Sequence, residues 1–391
     1  MLVSKLEYLV DIMKTNNVTE ARGYNVSQNY VFLIDIFNIL LKERSWVLEN
    51  ESTNIILNQV LRNVWDKISN DKSISEKEAE VFLYTLYYDS LKYFDIDETK
   101  IDKMSFTSDP ANIKSTSRGV HYPLGNGHSE IYYASRNISL LSEAKDGFIP
   151  RLISLIAVPH ELIHAQQHQH AVKGIVDLCG FICSLEDVVR KVSNYYEDNY
   201  FFTGIEADAN SRGYAAVGYF LVSRKLADNS YLNKFYRDVE KAYNSFISGS
   251  RNKIVKIGNV EDVSGRVLLS VCSDYVKKDT SVISEYPLLS MVYNSDGSLK
   301  TVGDIFSYRR NLIDSDPKNS KKIDEVYDYI FDCYFSEQRD LSKLMDVYRY
   351  LESVNGNDEY ASKIFVDKMV ESGSDETKVK EYLKVSFSGN K

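Results

Sequence analysis

The stretch Val158-Pro159-His160-Glu161-Leu162-Ile163-His164-Ala165-Gln166-Gln167-His168-Gln169-His170 constrains this chain more than any other, because its chemistry works only on a helix. It holds one HExxH pattern and four of the chain's six histidines. Residues four apart on a helix lie on one face, about 6 Å along the axis, so the imidazoles of His160 and His164 can converge on one cation. Zn²⁺ suits that pair best. Glu161, rotated about 100° from His160, stands beside such an ion without ligating it, where a carboxylate can take a proton from water. The plain alternative is a surface helix that carries the pattern by chance.

Two imidazoles leave a third ligand to be found. His170 has the spacing of an HExxHxxGxxH site, but Gln167 stands where that pattern needs a glycine to turn the chain back. His168 is a further turn along, too far up a straight helix to close the same tetrahedron with one position left open. Glu206 is the best candidate, 42 residues beyond His164, which leaves room for an intervening helix and a return. It opens the run Glu206-Ala207-Asp208-Ala209-Asn210-Ser211-Arg212-Gly213-Tyr214-Ala215-Ala216, whose small residues allow close approach to another helix. A carboxylate buried at such a contact needs a counter-charge, which a dication supplies. Asn210, one turn on, shares its face and can hydrogen-bond a ligand imidazole. The alternative for Glu206 is a first-turn acid favoured by the helix dipole.

The surrounding chain reads as α+β and predominantly helical. Ile34, Phe37 and Leu41, with Val31 before them, recur at helical spacing, as do Ile56, Val60, Val64 and Ile68. Ser75 and Glu78 form a capping box that opens a helix towards Leu91. From Asp95 to Gly127 turn formers accumulate. Gly125-Asn126-Gly127 then pairs Val120-His121-Tyr122 with Ile131-Tyr132-Tyr133-Ala134-Ser135 as a hairpin, whose free edge can take an extended chain by strand addition. Pro150 suits a first helical turn, whereas Pro159 requires the metal helix to kink or to restart, and Gly174 terminates it. The apolar run Gly174–Leu185 is too short for a membrane span and reads as a buried helix. Asn294-Ser295-Asp296-Gly297 predicts a hairpin turn between Met291–Tyr293 and Leu299–Val302. Ser315–Ser320 is a boundary loop, the run from Ile323 to Tyr334 is an amphipathic helix, and Ser372-Gly373-Ser374 is a turn. Three regions follow: helical 1–100, a core 101–240 with the metal helix, and mostly helical 241–391 with the hairpin near 288–302.

A net charge of −9 and a pI near 5.4 argue against nucleic acid and against an anionic membrane as partners. Charges within Met1–Glu7 interrupt any secretory leader, so the expected location is cytoplasmic, with export by another route left open. Cys179, Cys183, Cys272 and Cys333 show no CxxC and read as reduced packing residues.

Taken together, His160-Glu161-Leu162-Ile163-His164 and Glu206-Ala207-Asp208-Ala209-Asn210 resemble the gluzincin metallopeptidases, and the ExxAN form is similar to the small bacterial and phage gluzincins of the ImmA/IrrE group. The resemblance covers roughly residues 115–220, departing at Pro159 and over 171–199. It implies a zincin-like core of short strands, metal helix and Glu helix, with Zn²⁺ held by His160, His164 and Glu206. It further implies Glu161 as the base, position 210 as the residue orienting a ligand imidazole, and a peptide or protein as substrate. Arg212, Tyr214 and Tyr200 are the nearby candidates for stabilising the transition state. A different class of function keeps the zinc and drops the catalysis: a regulatory or protein-binding module in which the helical regions hold a partner. A helical interaction protein with no metal is a third.

Overall fold

Three helices open the described chain, α1 (Val26–Glu43), α2 (Glu51–Ser69) and α3 (Glu76–Tyr93), in a computed structural model that describes residues 26–43, 51–144, 148–190, 204–228, 237, 265–335 and 341–388. The apolar period does what its spacing requires: Ile34, Phe37, Leu41, Ile56, Val60, Val64 and Ile68 are all buried. Val31 is the exception and faces solvent. α3 starts where the capping box places it, with the Ser75 hydroxyl accepting from the Glu78 N–H and the Glu78 carboxylate accepting from the Ser75 N–H.

A three-stranded sheet follows, β1 (Ile101–Thr107), β2 (Gly119–Pro123) and β3 (Ser129–Ala134), in the order β1-β3-β2. β2 and β3 are the expected hairpin, antiparallel with Val120 opposite Tyr132. Its turn closes through the Leu124 N–H on the His128 carbonyl, with Asn126 at φ +60°, a conformation asparagine tolerates. β1 pairs parallel to β3 and had no counterpart in the sequence reading. Among the described residues β2 therefore stands at an edge of the sheet.

After the short helix α4 (Arg136–Ser142) comes the long helix α5 (Phe148–Lys173), which carries Pro159 inside it and runs on without restarting. Gly174, at φ +68°, ends it as read, and the Ile175 N–H returns to the His170 carbonyl. The apolar run beyond is the helix α6 (Leu178–Arg190), capped by the Asp177 carboxylate on the Gly180 N–H, and Glu206 falls in the first turn of α7 (Gly204–Ser223).

The chain forms two units, residues 1–166 with 207–253, and residues 167–206 with 254–391. The first buries the inner faces of α1 to α3 with Ile131 and Tyr133 of the sheet, Leu155, Leu162 and Ile163 of α5, and Ala209, Val217 and Phe220 of α7. The second is built from α6 and α8 (Gly265–Val276), α9 (Ser281–Glu285), α10 (Val302–Ser315), α11 (Ser320–Phe335), α12 (Leu341–Ser353), α13 (Glu359–Glu371) and α14 (Glu376–Ser388). Phe306 stacks on Phe331 and Tyr350 at its centre. Here one expectation is corrected. The turn Asn294–Gly297 forms, but its flanks make a single bridge between Tyr293 and Leu299. Pro287–Met291 coils into a 3₁₀ helix and Val302 already begins α10, so no length is left for strands. The whole is α+β and predominantly helical, and among the described residues no helix is long and apolar enough to cross a membrane.

Candidate metal centre

The helical turn between residues 160 and 164 brings the two imidazoles together as the spacing requires. Their Nε2 atoms are 3.1 Å apart and the rings meet edge to face, with centroids 4.7 Å apart. Two neutral imidazoles can share one proton at this distance, or both can turn lone pairs to a cation. A tetrahedral ion with Zn–N bonds near 2.05 Å sets its ligand nitrogens about 3.3 Å apart, so the observed separation fits zinc with little adjustment. The ligand atoms of His160, Glu161 and His164 all lie within 4.8 Å of one another. Glu161 and His164 are buried, and His160 is partly open.

One hydrogen bond and three close approaches border this turn, all within the first unit. Tyr133, in the central strand β3, donates its hydroxyl to the Val158 carbonyl at 2.8 Å, immediately before Pro159. Gly213 of α7 lies against His160: a Cβ built on it would be 3.6 Å from the His160 nitrogen, an ordinary contact. Gly119 of β2 meets the Glu161 side chain directly. His121, two residues further on the same face of β2, has its ring centroid 6.3 Å from that of His164 and its Nε2 2.8 Å from the Ser129 hydroxyl. Neither Gly119, His121, Ser129 nor Tyr133 figured in the sequence reading of the site. The signal was there for two of them, since positions 119 and 121 of the hairpin must face alike, but which face meets the helix is a tertiary fact.

Glu206, Asn210, Arg212 and Tyr214 lie on α7. Glu206 is buried in its first turn, and the carbonyl of the preceding Ile205 accepts from the Gln167 side-chain amide at 3.1 Å. Asn210 is half-buried. The Arg212 guanidinium is committed to Asp208 at 3.1 Å, to the Gln166 side-chain oxygen and to the face of Phe94, at the wall of a cavity of about 280 Å³. Tyr214 packs against the first unit's apolar core. Tyr200 lies outside the described residues. His168 and His170 pair with acids of the second unit, Asp187 at 3.4 Å and Asp177 at 2.5 Å, which gives each a structural occupation. Burial alone would raise the Asp177 carboxyl, but the His170 and Gly180 hydrogen bonds outweigh it and hold it below the usual value. Of the four cysteines, Cys179 is half-buried and Cys183, Cys272 and Cys333 are buried.

Comparison with protein-family models, with curated proteins and with solved structures gives no match. Function therefore has to be read from the chemistry of the centre itself.

Proposed function

We propose that this chain is a zinc-dependent metallopeptidase with a zincin-like core, hydrolysing peptide bonds with Glu161 as general base. The observation that carries the reading is the convergence of the His160 and His164 nitrogens at 3.1 Å on one helical turn with the Glu161 carboxylate beside them. In this reading His160, His164 and Glu206 hold the metal and Asn210 orients a ligand imidazole. Glu206 is the third ligand that the ExxAN resemblance implies, and it is buried. Bound zinc supplies Lewis acidity, polarising the substrate carbonyl and making water acidic near neutral pH.

The protein's own groups do the rest. Glu161 takes the proton of the attacking water and passes it to the leaving amine, so one carboxylate serves both halves of the reaction. The edge strand β2, beside the same turn, offers main-chain hydrogen bonds to an extended peptide or protein substrate. A cytoplasmic location belongs to the same reading.

The test is Glu161→Gln, which keeps shape and metal ligands and removes the base. It is expected to leave a folded protein with one zinc per chain and to lower peptide cleavage by about 10²–10⁴-fold, the usual worth of a positioned base. Unchanged cleavage in this variant, or wild-type protein that keeps no stoichiometric zinc through mild dialysis, would sink the reading. A purely structural zinc predicts the opposite split: no effect of Glu161→Gln and unfolding on His164→Ala.

A further inference from the structure

A Cβ built on Gly119 would stand 2.5 Å from Glu161 Cγ, 2.6 Å from its Oε1 and 2.9 Å from its Cδ, and these are the three nearest atoms. Real Cβ atoms do not come so close to carbon or oxygen. The φ of Gly119 lies outside the left-handed region, so the backbone there suits any residue. The glycine is therefore required for space, not for its dihedral angles.

The closeness is fixed from both sides. Gly119 pairs with Tyr133 in the sheet ladder, and the Tyr133 hydroxyl holds the Val158 carbonyl, three residues before Glu161. Strand and helix are thus linked by a short chain of contacts that cannot lengthen without breaking a buried hydrogen bond. Glu161 is only 3 % exposed, so its side chain has little room to swing aside. One methyl group on the strand has to move the carboxylate.

We propose that Gly119 is a positioning residue for Glu161: the missing side chain seats the carboxylate against the backbone of β2, at the height of the two imidazoles. This rests on the reading of Glu161 as the base, and it extends that reading to the strand that carries no catalytic group. General-base catalysis falls steeply when the base is misplaced by about 1 Å, with losses near 10²-fold.

The experiment is a double-mutant cycle on the full chain, with Gly119→Ala and Glu161→Ala alone and combined, and with thermal melting as the first readout. Gly119→Ala is expected to lower the melting temperature by about 5 °C when Glu161 is present, the cost of overpacking a core contact, and by about 1 °C or less in the Glu161→Ala background. Equal losses in both backgrounds would overturn the proposal, since they would mean the methyl group harms the strand and not its partner. The second readout is kinetic. With zinc content unchanged, Gly119→Ala should lower kcat about 10²-fold and leave KM within about threefold, whereas a loss confined to KM contradicts a role in placing the base. The melting cycle needs no turnover, so coupling without any peptidase activity in the wild type would uphold the seat for Glu161 and refute the enzyme reading alone.

Discussion

Arg151 lies in the first turns of α5, and its replacement gives the sharpest stability prediction. The side chain is fully buried, donating from Nε to the Leu141 carbonyl at 2.9 Å and from Nη2 to the Lys72 carbonyl at 2.7 Å, with a longer contact from Nη1 to the Ile68 carbonyl at 3.4 Å. One guanidinium so closes the ends of α2 and α4, where carbonyls have no partner within their own helix. Asp71 stands 3.7 Å away but is more than half exposed, so most of the holding falls to the carbonyls. Burial lowers the pKa of the guanidinium, with Asp71 opposing.

Arg151→Met keeps the volume and removes every donor. Two good charged hydrogen bonds are worth about 1.5–3 kcal/mol each, and relief of the buried charge returns part of that, leaving a net loss of about 3–4 kcal/mol. For a unit of roughly 200 residues this lowers the melting temperature by about 10 °C, read by circular dichroism. Arg151→Lys should fall between, because an ammonium cannot serve carbonyls in two directions at once. A methionine variant that melts within about 2 °C of the wild type would refute the reasoning, by showing that burying the cation had cost as much as its hydrogen bonds returned.

Two further expectations concern acid and backbone. Burial alone would raise the Glu78 carboxyl, but hydrogen bonds from Lys67, Tyr30 and Ser75 hold it below its ordinary 4.5. A carboxyl lowered on folding stabilises above its unfolded pKa and loses that stability as pH falls through the lowered one. The urea midpoint should therefore decline below about pH 4.5, and Glu78→Gln, less stable at neutral pH, should flatten that decline; a parallel decline in both proteins would count against it. Gly297 sits at φ +80°, and a Cβ there would stand 2.7 Å from the Val276 carbonyl oxygen. Gly297→Ala should thus destabilise the second unit by about 2–4 kcal/mol in urea unfolding, and a change under about 0.5 kcal/mol would contradict the strain.

What could be read from the residues was local. The capping box at Ser75, the turn at Gly125–Gly127, the terminator Gly174 and the i, i+4 pair of His160 and His164 each need only a few neighbouring residues to be specified, and each stands as read. β1 escaped because Asp102 and Lys103 break its alternation and a bulge shifts its register, while its partner β3 lies more than twenty residues on and parallel. The hairpin near 288–302 shrinks to its turn and one bridge for the converse reason: the turn signal was right, but Pro287 and the Thr301 cap claim the flanking residues for helices. Pro159 sits within α5, where two alternatives had been drawn, a kink and a restart; the helix does not restart. Gly119 could not be recognised at all, since its meaning lies in a carboxylate 42 positions away in sequence.

The phenol of Tyr133 has a consequence beyond packing. Burial first, then the nearby Tyr87 and the charge of Glu161, push it well above the ordinary 10.0, so at neutral pH it stands as a hydrogen-bond donor. The clasp it forms on the Val158 carbonyl at 2.8 Å therefore does not depend on a group that titrates near neutrality. Imidazoles and carboxylates such as those of the candidate metal motif change charge within the ordinary pH range; this phenol moors the motif with a group that does not.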